Sequence, residues 1–490
     1  MPINFLRVIS LAYLLLPNIL FAVTWFRTAV SFTVLVGWFF VIWWQFKNRI
    51  PPGNHTRIGG KSIIMLLMLG FFMTAISGVD GYFHQNLDYW GHNSKYYTLF
   101  NHSWPVVFLE NQQYASHYFG FYLVPALFSK LQGEISGTAL LIWASIGYWI
   151  ALMWLWVISN KNAFSLCLFF ILGSAGHLIK IGFYKMAGLG AISLPFVTEV
   201  WPVLYQSILA INQTVPAMIV AAVIYADFRF DHKPERSFLF VTLNFVFGIF
   251  PTITFGLVYI VLLLYTYRQN INALFSKEKW LQLVIPGLTI LPVFIYFLSG
   301  GGTVVTGFIW EFDRSLELLP HYSFGVILEV SILIVLILLL GLQQDKDRYL
   351  ILTLIVILIL VSTYRIGKWN DWFMRGQMPV MMLLLLFIIN KSSEIFEMWK
   401  GVSNLKTILV FILIIGFSAV IPARHLIRAF QHNIFVDSQS GYITRFVRYP
   451  YNRFHDFYQM GKVIYSIEEA NQYLGKKGSV YERYLARQKK

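Results

Sequence analysis

The stretch from His84 to Pro105 reads HQNLDYWGHNSKYYTLFNHSWP, and it concentrates carboxylate, imidazole and amide side chains between apolar runs. Asp88 stands four residues after His84 and four before His92, so on a helix the three share one face. A carboxylate with an imidazole one turn away is a general-base unit, because the ring can orient the carboxylate or share its proton. Desolvation at a membrane boundary raises the proton affinity of such a carboxylate, which suits a base. The same polar groups would equally serve to cap a short helix lying on a membrane surface. A metal site is a third reading, since His84, His92, His102 and His117 lie in or beside this loop. Their spacings match no compact ligand pattern, so no metal ligands are assigned and no cofactor is expected, a divalent metal being the remaining possibility.

The elements that must position these residues are membrane spans. The chain of 490 residues is 57% hydrophobic and only 12% charged, with a mean hydropathy of +0.62. A soluble domain carries about 25% charged residues. Runs such as LILTLIVILILVS recur along the chain and predict helices that cross a hydrocarbon core of about 30 Å. The net charge of +15 is usual where basic loops face the cytoplasm and does not imply nucleic acid. The single cysteine, Cys167, excludes an internal disulfide framework.

Apolar windows predict an all-α polytopic protein with about 13–15 transmembrane helices. The window at 237–267 is too long for one span and is broken at Phe250–Pro251, so it is read as a hairpin of two helices. The order of spans between 159 and 212 stays open. Basic residues at 47–61, 229–236, Lys277 with Lys279, and Lys346 with Arg348 place four loops in the cytoplasm. Loops 80–116, 299–322 and 364–375 then face outward. The division expected is a transmembrane domain over 1–421, with its first outer loop at 80–116, and a hydrophilic tail over 422–490. Counting spans puts the tail outside, although its 12 Lys/Arg against 5 Asp/Glu pull the other way.

Three separated motifs resemble bacterial multi-spanning glycosyltransferases of the GT-C superfamily. The first loop matches at Gln85, Asn86, Asp88, His92, Asn93, Trp104 and Pro105, with Gly91 where a lysine is expected. AINQTVPAMI matches an outer helix start at Gln213 and Pro216, departing at Asn212 and Thr214. NDWFMRGQMPV matches at Asn370, Asp371, Met374, Arg375 and Pro379.

The resemblance implies a GT-C-like helical arrangement and transfer of a sugar from a polyprenyl-phosphate donor to an envelope glycan or lipid acceptor, by direct displacement with inversion. It implies a multi-pass protein of the cell membrane, with the active site on the extracytoplasmic face and membrane lipids as its other partners. Carried onto this chain, the general base is Asp88, with Asp80 as runner-up. A departing lipid phosphate needs cationic partners, for which Arg375 comes first, then Lys368 and Arg365, with Arg314 behind them. His92, Asn93, Trp104, Gln213, Asn370 and Asp371 are the supporting residues, and Glu199, Trp201 and Tyr205 lie on a further outer segment. Two readings from other classes remain: a transporter or flippase of a lipid-linked saccharide, and a non-catalytic subunit of an envelope-assembly complex.

Overall fold

The computed structural model describes residues 1–47, 58–188, 198–302, 305–312, 315–367, 370–394, 405–431, 433–436, 443–446 and 448–488. Helices dominate. In chain order they are α1 (Ile3–Trp25), α2 (Thr28–Lys47), α3 (Gly60–Ile76), α4 (Tyr89–Asn101), α5 (Gly120–Gln132), α6 (Gly137–Ile158), α7 (Ala163–Ile171), α8 (Ala175–Met186) and α9 (Val203–Arg229). There follow α10 (Phe238–Leu243), α11 (Ile249–Tyr267), α12 (Lys277–Leu298), α13 (Ser315–Leu339), α14 (Arg348–Ser362), α15 (Asp371–Ser392), α16 (Leu405–Ala429), α17 (Phe457–Ile464) and α18 (Ile467–Asn471). The sheet content among the described residues is three two-stranded antiparallel sheets.

Among the described residues, nine helices are long and apolar enough to cross a membrane, or ten when α7 and α8, bent by 52°, count as one broken span. α3 and α14 are shorter apolar helices. The chain is thus a multi-pass α-helical membrane protein. The count falls below the 13–15 expected because α3 and α14 fall short of a full span, α7 and α8 make one bent pair, and α5 is too short to cross. Residues 117–131 form the 13-residue α5, whose Lys130 bonds back to the carbonyls of Phe100 and His102 in the first loop. The window at 237–267 is indeed a hairpin, α10 and α11, whose two arms return to one place: Tyr259 and Tyr267 bond Pro234 and Glu235. Its turn falls at Asn244–Gly248 rather than Phe250–Pro251; Pro251 sits in the first turn of α11, where its missing N–H costs nothing.

Between 159 and 212 the described residues are 159–188 and 198–212. α8 packs along α13, with His177 bonded to Glu329 and Tyr184 to His321. The Val200 carbonyl accepts from the Ser174 N–H, and α9 begins at Val203. Glu329 lies within α13 but is 3% exposed; its carboxylate accepts the backbone N–H of Gly176, His177 and Val200. It therefore caps the break in the span, where lipid offers no partners.

Burial separates central from peripheral helices. α9 and α15 are 94% and 89% buried over their apolar windows, whereas α16 is 17% buried and presents its apolar surface outward. Ala217, Ala221 and Ala222 on α9 are fully buried, and such small residues let neighbouring backbones approach closely.

The two ends of the bundle differ. At one end lie the basic loops: the amino terminus bonds Ile58, Arg7 pairs with Asp227, and Arg229 pairs with Asp345 and Asp347. At the other end lie the first loop, the antiparallel strand pair of Thr306–Phe308 with Tyr364–Ile366, and the tail. The described tail residues fold back on the first loop. Ser116 donates to the Tyr473 carbonyl and Gly475 to that of Tyr114, and Trp90 stacks on Tyr449 with ring centres 4.4 Å apart.

Candidate functional site

α9 is kinked at Ala210 (φ −149°, ψ 55°), six residues before Pro216, and the kink is the anchor on which the first loop is seated. Carbonyls freed there find partners from the loop: Asn86 donates to Ile208 at 3.3 Å and His92 Nε2 to Leu209 at 3.0 Å. The other ring nitrogen of His92 bonds the Tyr122 hydroxyl. With Nε2 donating to a carbonyl, Nδ1 is the acceptor and Tyr122 the donor. Burial and the nearby Lys95 charge push the His92 imidazole down to about 3, so it stays neutral.

That arrangement corrects the expected Asp88–His92 unit. Both ring nitrogens of His92 are committed elsewhere, and it holds the loop rather than the carboxylate. His84 does not join the face either, because α4 begins only at Tyr89; the His84 backbone is tied to the carbonyl of Ala429 instead.

Asp88 sits at the N-cap of α4, half-buried, in a cavity of about 180 Å³ whose walls also carry Lys95, His117, Gln213, Asp371 and Arg375. Asp371 and Arg375 are four apart at the start of α15, so both project from one side. Asn370 directs that start: it takes a left-handed conformation (φ 58°) and its side chain accepts from the Phe373 N–H, a side-chain N-cap. Nη1 of Arg375 is shielded from solvent and has no hydrogen-bond partner among the described residues, and the same holds for Oδ1 of Asn212, another wall residue. Gln213 donates to the Tyr118 hydroxyl at 3.0 Å. Burial raises the proton affinity of Asp88, opposed by the charges of Arg375 and Lys95.

Lys95 is the site residue that the sequence reading missed. Its ammonium is buried, 3.3 Å from Nε2 of His117, and lies over the rings of Tyr118 and Phe457 at 5.3 and 5.2 Å. Burial, with the Arg375 charge adding to it, lowers this lysine to about 7. The signal was present: Asp88, Gly91 or His92, and Lys95 repeat at helical spacing, so the basic residue absent at position 91 appears one turn later. Gly91 in turn leaves room for the tail, since a Cβ there would lie 3.7 Å from both Phe457 and Met460.

The tail completes the cavity with Phe457, Met460, Tyr465, Glu469, Gln472 and Tyr473. Two motif residues of the loop hold this tail and not a substrate. Gln85 accepts from the Tyr449 N–H and Asn93 donates to the Tyr449 carbonyl, each at 2.7 Å.

Several predicted residues lie elsewhere. Asp80 does not line the cavity; it is buried against Arg448 at 2.7 Å and Tyr451 at 3.0 Å. Arg365 is buried with its guanidinium over Phe312 and donates to the Gly367 carbonyl. Trp104 donates to Leu99 and borders a separate open cleft with Arg27 and Arg487. Glu199 pairs with His177, Trp201 is tied through its N–H to Gln377, and Tyr205 stacks on His425. Lys368 and Arg314 lie outside the described residues.

The arrangement can deprotonate a hydroxyl at Asp88 while Lys95 and Arg375 hold an anion, all within one small cavity. Compared with known proteins, the chain matches no family model, no curated protein and no solved structure.

Proposed function

We propose that this protein is a membrane glycosyltransferase of the GT-C type, with its site on the extracytoplasmic face. It transfers a sugar from a polyprenyl-phosphate donor to a glycan or lipid acceptor. The observation that carries the reading is the meeting of Asp88, Lys95 and Arg375 in one cavity. Asp88 takes a proton from the acceptor hydroxyl, the hydroxyl oxygen bonds to the anomeric carbon, and the bond from that carbon to the phosphate oxygen breaks. The lipid phosphate leaves as an anion, so the partners it needs are cations and not an acid. Burial keeps the attraction strong, because charges in a low-dielectric cavity are poorly screened.

The test is transfer by Asp88→Asn in membranes carrying lipid-linked sugars. The expected outcome is a fall of roughly 10²–10⁴-fold in turnover with donor binding retained; full activity would sink the assignment.

A second reading, movement of a lipid-linked saccharide across the membrane, rests on the broken span α7–α8, since discontinuous helices mark many transporters. The break is closed internally by Glu329, which weighs against a substrate there. Flipping without transfer in reconstituted vesicles would favour it over the first.

A further inference from the structure

We propose a divalent-metal site of the zinc class that pins the tail to the first loop, formed by His102, His455 and Asp456. One donor atom from each of the three lies within 4.8 Å of the others, although His102 is more than three hundred residues from its partners in sequence. His102 is buried at the C-terminal end of α4, where its N–H bonds Thr98. Asp456 is buried at the N-cap of α17, one carboxylate oxygen accepting from the Gln459 N–H at 2.8 Å. Its other oxygen faces Nδ1 of His455 at 3.7 Å. The rings of His102 and His455 meet edge to face, with centres 5.6 Å apart.

The donor set fits the chemistry. Two imidazoles and one carboxylate, with water in a fourth position, make a zinc site of ordinary type, and bonds near 2 Å place the donors about 3.3 Å apart. The spacing here needs a small contraction, and His455 can supply it because its side chain is 56% exposed. The cap bond leaves Asp456 one oxygen for the ion. Lys130, held by the carbonyls of Phe100 and His102, adds a positive charge nearby and tempers the affinity.

A metal here would act on the cavity from a distance. α4 carries Lys95 and α17 carries Phe457 and Met460, all wall residues. Fastening the end of α4 to the start of α17 fixes these walls against each other. The proposal does not depend on which reaction the cavity performs.

The experiment uses the full chain in detergent, stripped with a chelator and titrated with Zn²⁺ by calorimetry, with Co²⁺ as a spectroscopic reporter of tetrahedral geometry. Wild type is expected to take one ion per chain. His455→Ala, at an exposed position, and Asp456→Asn, which keeps a good N-cap, should lose stoichiometric binding. Zn²⁺ should also slow proteolytic cleavage of the tail in wild type and not in His455→Ala. Absence of zinc binding by wild type overturns the proposal, and so does binding that survives both substitutions.

Discussion

The Lys95 ammonium lies 3.3 Å from Nε2 of His117, so a cation on the first loop rests against an imidazole at the threshold of α5, in a pocket partly walled by the tail's Phe457. His117 is held neutral by burial and by that same charge, which leaves it able to accept from Lys95. A buried lysine without a carboxylate bonded to it is electrostatically costly, and an arriving anion relieves that cost.

Lys95→Met is therefore predicted to separate binding from stability. Donor binding should weaken on the order of tenfold or more, as for a lost hydrogen bond to a charged group, about 1.5–3 kcal/mol. Thermal stability should hold or rise near neutral pH. A variant that melts far below wild type would show the ammonium to be a structural partner instead.

Lys95 also predicts a pH dependence. Its proton affinity in the fold, about 7, lies below the usual lysine value near 10.4. The folded chain thus binds fewer protons than the unfolded one between these limits, and this group makes stability rise with pH across that window. Donor affinity runs the other way and falls above about pH 7, because the anion must then recharge the lysine. The slope of donor binding against pH, measured in wild type and Lys95→Met, should flatten in the variant.

Arg375→Ala should raise the apparent KM for the donor by roughly ten- to a hundredfold, the loss of a charge-assisted bond of about 1.5–3 kcal/mol, and leave that for the acceptor nearly unchanged. Equal weakening of both would remove Arg375 from the phosphate and make it a general wall residue.

Asp80→Asn tests the opposite kind of role. It removes the charge that Arg448 and Tyr451 share, at a cost of about 1–3 kcal/mol. Melting should drop by several degrees with KM for both substrates held. A loss of turnover in a fully stable variant would return Asp80 to the chemistry.

The spans were legible because lipid imposes a simple requirement: long apolar runs with satisfied backbones. The pairing of Asp88 with Asp371 and Arg375 in one cavity was approachable for the same reason, since α4 and α15 both start at the same end of the bundle. Lys95 was not singled out because a lysine among tyrosines reads as an interfacial snorkel until the tail covers it. The tail's part was hidden for a different reason. Tyr449 is held by Gln85 and Asn93 across more than 350 residues, and such a contact leaves no local pattern. The surroundings of Asp80, carried over from the resemblance, and of His92, read from spacing, were equally hidden: one meets Arg448 from that same tail, the other the kink at Ala210.

The folding back of residues 449–473 has a consequence for biogenesis. These residues follow every described span in the sequence, yet they supply a wall of the cavity and the backbone that Gln85 and Asn93 hold. A chain whose described spans have packed still lacks that wall, so packing of the helices and completion of the cavity are separate events. Under the proposed function, the cavity could act on a lipid-linked substrate only once this segment has docked on the first loop.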